Sequence, residues 1–174
     1  LWCSRLGWFL FTRIQKEGGI DSRFVDIKKS FLRFGTAFTL QALWVFLTAL
    51  PVYAINVSAD SMPITWADYC GWTLWIVGFV VEVIADNQKS AFREESHNHG
   101  KFITTGLWSW SRHPNYAGEI SLWIGVFISA VNALQTGFTL APQLLAYACS
   151  PVFVFLLINY VSGVNLLESA SDKK

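Results

Sequence analysis

The sequence predicts an all-α protein, a multi-pass transmembrane helix bundle with four full spans and a partial one at the N-terminal end. Three observations carry that expectation. Of 174 residues, 53% are hydrophobic and only 14% are charged, with a mean hydropathy of +0.38. A soluble domain carries roughly 25% charged residues, and so few charges could not cover a water-facing surface of this size. Four apolar runs reach the ~20 residues a helix needs to cross the hydrocarbon of a bilayer. The Lys and Arg residues then alternate between the connections of these runs, a pattern independent of hydropathy. The net charge of +1 is far from the strong basic excess of a nucleic-acid binder, so nucleic acid is excluded as a partner.

In chain order, residues 1–14 form an apolar run too short to span alone, and they read as the tail of an earlier span. The full spans are expected at residues 34–55, 66–85, 116–134 and 140–161. Residues 1–174 read as a single membrane domain and as a piece of a longer chain, because Leu1 opens inside an apolar run and Met62 is the sole methionine. No charged leader with a small-residue cleavage site stands at the start.

The connections set an orientation. Arg13, Lys16, Arg23, Lys28, Lys29 and Arg33 precede the first full span, whereas residues 56–65 hold no Lys or Arg. Residues 86–115 hold Lys89, Arg93, Lys101 and Arg112; residues 135–139 hold none; Lys173 and Lys174 end the chain. Only Arg5, inside the partial helix, breaks the alternation. The positive-inside rule makes the basic side cytoplasmic, in the endoplasmic reticulum of a eukaryote or the inner membrane of a bacterium. Trp66, Trp108, Trp110 and Tyr160 lie near span ends, as in an interfacial aromatic belt. Pro51 and Pro151 fall inside spans, where a neighbouring helix can satisfy freed carbonyls. Cys3, Cys70 and Cys149 are far apart and read as small buried hydrophobes. Asn56-Val57-Ser58 is a glycosylation sequon that hugs the membrane.

Polar residues at membrane depth are expensive and mark function. Glu82 and Glu119 are of this kind. Glu82, Asp86, Lys89 and Arg93 follow spacings of four, three and four, so they share one helix stripe. A second cluster runs from Gly106 to Glu119. Pro114 suits the first turn of a helix; a helix N-terminus attracts anions, and Arg112 beside it carries a bidentate phosphate-binding head. Asn115 and Glu119 project from one face, and Gly118 admits a close approach. His97 and His99 flank Asn98 in a polar loop without the further ligands a metal site needs.

The stretch Ser111-Arg112-His113-Pro114-Asn115-Tyr116 with Gly118-Glu119 resembles the signature of membrane-bound steroid 5α-reductases, sterol reductases and their poorly characterised relatives. Asn87-Gln88-Lys89-Ser90-Ala91-Phe92-Arg93 resembles the N-x-Q-K-x-x-F-R segment of sterol C14-reductases. Leu1-Trp2, Arg5-Leu6, Asp21 and Arg23 extend the likeness over nearly the whole chain. The resemblance implies an NADPH-dependent oxidoreductase that reduces a carbon–carbon double bond in a lipid or steroid-like substrate within the membrane. It implies that Lys89 and Arg93 meet the NADPH phosphates, that Asp86 lies alongside, and that Arg112, His113, Asn115, Tyr116 and Glu119 line the pocket. The proton donor is left open, with Tyr116 and Glu119 as the catalytic candidates. Two alternatives stay open. RHP-x-Y-x-G also occurs in isoprenylcysteine carboxyl methyltransferases, which use S-adenosylmethionine, and a non-catalytic scaffold of the same fold would keep the same residues.

Overall fold

The computed structural model describes residues 1–16, 18–19, 24–57, 63–98, 100–132 and 140–162. Among these the secondary structure is helical: α1 (Trp2–Lys16), α2 (Phe31–Val57), α3 (Trp66–Glu94), α4 (Pro114–Asn132) and α5 (Leu140–Leu156), with α5 running on into a π-helical segment, Leu157–Ser162. Asp21, Arg23, Met62, His99, residues 133–139 and residues 163–174 lie outside the described residues. The chain divides into two compact units, Leu1–Phe46 and Leu47–Lys174.

Among the described residues, three helices are long and apolar enough to cross a membrane, over Phe31–Tyr53, Trp66–Glu94 and Gln143–Tyr160. That is one fewer than the four full spans expected. The exception is α4, whose 19 residues begin with Pro114, Asn115 and Glu119 inside their first two turns. The polar side chains of Asn115 and Glu119 dilute an otherwise apolar helix.

In the first unit α1 carries Arg13 and Lys16 in its last turn, where cations favour the carbonyl end of the dipole. The Arg5 guanidinium lies 5.2 Å over the Phe9 ring, which lets a charged head sit on an apolar helix. Phe38 meets Phe34 and Phe24 at centroid distances of 4.4 and 6.1 Å.

The second unit is built on the α3–α4 pair. Thr65 starts α3 with a capping box: its hydroxyl accepts from the Ala67 N–H at 3.2 Å, and its own N–H donates to Asp68 at 2.9 Å. Four glycines then bring the two helices into backbone contact. A Cβ placed on Gly78 would lie 2.6 Å from the Gly118 carbonyl oxygen, and one on Gly125 would lie 2.5 Å from that of Gly71. The pairs run in opposite directions, so α3 and α4 are antiparallel. Gly71 and Gly78 are seven residues apart, as are Gly118 and Gly125, which places each pair on one helix face two turns apart. Small residues at such a seam replace hydrophobic driving force with close packing, the usual device where the surroundings are lipid.

At the other side of this unit, Ser150 on α5 donates its hydroxyl to the Thr48 carbonyl on α2 at 2.7 Å, fully buried. This tie lies three residues before Pro51, whose ring removes an N–H from the α2 ladder. The cysteines differ from expectation: Cys3, Cys70 and Cys149 are all exposed, on apolar helix surfaces where a thiol can face hydrocarbon. The Asn56 amide of the sequon donates to the Val52 carbonyl at 2.8 Å within α2, so that side chain is engaged in its own helix.

Candidate functional site

The length of α3 decides where its polar stripe falls. Its 29 residues reach about 44 Å at 1.5 Å per residue, against ~30 Å of hydrocarbon. With its apolar part, residues 66–85, inside the bilayer, the turns that carry Asp86, Lys89 and Arg93 stand beyond the hydrocarbon. The Gly78–Gly118 contact then sets the start of α4 against this same end of α3.

The result is a polar cluster built from both helices and the connection between them. Glu82 and Asp86, one turn apart, are only 5% and 8% exposed. The Glu82 backbone packs against Gly118. Asn115, in the first turn of α4, donates its amide to the Asp86 carboxylate at 3.2 Å, while its Oδ1 is buried and accepts nothing among the described residues. His113 and Tyr116 stack with ring centroids 5.1 Å apart and nearly parallel. Asp86 and Arg93 both lie within electrostatic reach of Tyr116. Arg93 and Arg112 are exposed.

Glu119 behaves differently from the rest. Its carboxylate accepts from the indole N–H of Trp123 at 2.8 Å, one turn along the same helix. The site residues named from the sequence thus separate into a joined set, Asp86 and Asn115 with Tyr116 close by, and a neighbour, Glu119, engaged on its own helix. His97 sits 3.4 Å from Glu95 on the exposed surface, apart from these groups.

The largest departure is Trp108. Instead of facing lipid in an aromatic belt, it is 8% exposed, donates its indole N–H to the Ala85 carbonyl at 3.0 Å, and lies under the Lys89 ammonium, 4.7 Å from the ring centroid. Trp66, Trp110 and Tyr160 are exposed. The sequence carries little to tell these four aromatics apart, because each lies near a span end. A second residue missed in this role is Gln88, whose Oε1 accepts the Leu107 N–H at 3.0 Å.

The family described as "Protein of unknown function (DUF1295)" has a model that matches residues 1–174. The chain belongs to the DUF1295 family. This DUF1295 chain is 28% identical over 147 residues to the Protein-S-isoprenylcysteine O-methyltransferase of Xenopus laevis, a match that covers 80% of the chain and 49% of that protein. It is 31% identical over 71 residues to the "Probable O-methyltransferase ustE" of Ustilaginoidea virens, over 41% of the chain and 25% of that protein. It is 23% identical over 162 residues to an uncharacterized protein of Schizosaccharomyces pombe, over 78% of the chain and 47% of that protein. The chain spans about half the length of the first two of these in order of coverage, or less for the third. No solved structure matches it.

These relatives overturn NADPH as the expected cofactor. The two whose names give an activity are O-methyltransferases, and NADPH supplies a hydride and has no methyl group to give. The expectation went astray because RHP-x-Y-x-G belongs to both chemistries, and because a Lys/Arg pair that suits a phosphate suits a carboxylate equally well. What the family comparison supports is a membrane-embedded helical protein homologous to isoprenylcysteine methyltransferase-like proteins.

Proposed function

We propose that this DUF1295 chain forms the helical core of a membrane-embedded methyltransferase, moving a methyl group from S-adenosylmethionine to an oxygen of a lipid-like acceptor of the isoprenylcysteine type. The observation that carries this reading is the match to the Xenopus methyltransferase over 80% of the chain, which takes in both the α3 stripe and the start of α4. The motif likeness to the steroid 5α-reductase superfamily is compatible with it, since the segment from Arg112 to Gly118 is common to both groups.

The residues of the cluster fit this co-substrate. A buried acceptor left open at Asn115 Oδ1 calls for a donor, and the ribose hydroxyls and the ammonium of S-adenosylmethionine are donors. The buried Asp86 carboxylate beside it favours a cationic group. The parallel His113–Tyr116 pair offers a flat aromatic surface to an adenine. Lys89, Arg93 and Arg112 supply cations for carboxylates, with Arg suited to bidentate pairing. When bound, S-adenosylmethionine supplies a methyl group on a sulfonium, open to attack by an oxygen nucleophile. The chain's own task is to hold that donor at the end of α3 while the apolar helices hold a lipid-like acceptor. With the Lys- and Arg-bearing connections on the cytoplasmic side, the cluster faces the compartment that contains the donor.

The experiment is binding to purified full-length protein in detergent or nanodiscs, with S-adenosylmethionine and NADPH titrated separately. A transfer assay from methyl-labelled S-adenosylmethionine to a small S-prenylcysteine accompanies it. Saturable binding of S-adenosylmethionine and label in the prenylcysteine are expected. Binding of NADPH with none of S-adenosylmethionine would overturn the reading.

A further inference from the structure

Three features tie the connection before α4 to α3, and the methyl-transfer reading above uses only one partner of one of them, Lys89. The Leu107 N–H donates to Gln88 Oε1 at 3.0 Å, the Trp108 indole donates to the Ala85 carbonyl at 3.0 Å, and the Lys89 ammonium lies over the Trp108 ring at 4.7 Å. Ala85, Gln88 and Lys89 stand at i, i+3 and i+4, so they form one face of α3. The short turn Gly106–Ser109 is laid on that face. Gly106 makes the approach feasible. Its φ is +60°, and a Cβ there would collide with the Gln88 carboxamide, so both its backbone and its lack of a side chain are used.

A surface lysine ordinarily wanders through many rotamers. Here an aromatic face, itself fixed by a buried hydrogen bond, holds the ammonium electrostatically, next to Asp86 and within reach of Arg93. We infer that Trp108 is the positioning residue of this site: with Gln88 it latches the Gly106–Ser109 turn to α3, and its ring holds Lys89 ready for the carboxylate of the methyl donor's amino-acid end. The carboxylate half of this assignment rests on the methyl-donor reading; the latch does not.

The test pairs a ligand-free measurement with a binding one, on the full chain in nanodiscs. Amide hydrogen exchange is followed across residues 105–113, with α5 as the internal control for global folding. Gln88→Leu and Trp108→Leu are expected to speed exchange there by tenfold or more and to leave α5 unchanged. Gln88→Glu, which keeps the acceptor, restores protection. Dissociation constants are then compared for S-adenosylmethionine and its decarboxylated analogue. Trp108→Leu is expected to weaken the first roughly tenfold and the second less than twofold, whereas a purely structural role would weaken both alike. Unchanged exchange in 105–113 overturns the latch. Equal losses for both donors overturn the link to Lys89. Faster exchange in the variants with no binding of S-adenosylmethionine by the parent chain overturns the methyl-donor reading and the carboxylate assignment, and leaves the latch standing.

Discussion

Asn115 donates its side-chain amide to Asp86 at 3.2 Å across 29 residues of sequence, and in doing so joins the first turn of α4 to the buried stripe of α3. The bond satisfies one half of the Asn115 amide, while its carbonyl oxygen, also buried, accepts nothing among the described residues. In the methyl-donor reading proposed above, Asn115 serves the protein on one side and the bound molecule on the other, which couples the fold to occupancy.

Asn115→Ala should therefore affect both. Loss of a hydrogen bond to a charged group is worth about 1.5–3 kcal/mol. Loss of the bond to Asp86 should appear as a lower melting temperature, and loss of the Oδ1 acceptor should weaken S-adenosylmethionine by roughly tenfold. Calorimetric titration and a thermal melt in the same detergent read the two effects. Unchanged affinity would place the ligand elsewhere.

The glycine seam predicts a different pattern. Gly118→Ala puts a methyl 2.6 Å from the Gly78 carbonyl oxygen and 2.8 Å from the Glu82 nitrogen, and neither helix backbone can give without separating from the other. Overpacking of this kind costs about 1–3 kcal/mol. Gly35→Ala on α2 meets nothing within 4 Å and should be neutral or mildly stabilising through helix propensity, by up to ~1 kcal/mol. Thermal melts of the two variants compare like with like. A neutral Gly118→Ala would mean that the helices are not in backbone contact.

Much of this architecture was legible in the sequence, and what was not has physical reasons. The helix start at Pro114 is a local signal, set by local chemistry and read directly; the capping box at Thr65 and Asp68 is equally local but emerged only from the structure. The seven-residue glycine spacing was in plain view on each helix, but pairing Gly78 with Gly118 needs the antiparallel register, which only packing decides. Trp108 looked like its neighbour Trp110 because an aromatic near a span end reads the same whether lipid or protein covers it. The crossing expected at α4 is not among the three apolar enough by composition, because Asn115 and Glu119 lie in its first two turns. Asp86, Lys89, Asn115 and Tyr116 were singled out by spacing and motif, and the structure joins Asp86 to Asn115; the chemistry assigned to them was carried over from one of two families that share the motif.

Ser150 offers a test of the buried tie near Pro51. Ser150→Ala removes the donor to the Thr48 carbonyl and should cost about 0.5–1.5 kcal/mol, read as a lower melting temperature with donor affinity unchanged. A loss of affinity at constant stability would mean that this part of the second unit communicates with the α3–α4 cluster.

Orientation follows from charge. In a background with Cys3, Cys70 and Cys149 replaced by serine, single cysteines at Ile64 and Lys101, both exposed, should label from opposite sides of sealed vesicles, with position 101 on the cytoplasmic side. Labelling of both from one side would invalidate the assignment of α3 as a single crossing.

Glu119→Gln separates charge from packing at the remaining polar group of α4. The carboxylate accepts from the Trp123 indole at 2.8 Å, and a glutamine carbonyl can accept the same bond, so the substitution keeps shape and contact while removing the charge. Glu119 lies four residues beyond Asn115, on the same face of the helix, and an ionised group this close to the hydrocarbon is expensive unless it serves a bound partner. If it faces the cationic end of S-adenosylmethionine, the variant should fold and melt like the parent and lose roughly tenfold or more in affinity or turnover. A structural role predicts the reverse, a lower melting temperature with affinity intact. Binding titrations at two ionic strengths sharpen the distinction. A charge contact at the exposed rim weakens with salt over a Debye length of about 8–10 Å, whereas one enclosed between α3 and α4 should be nearly insensitive to it.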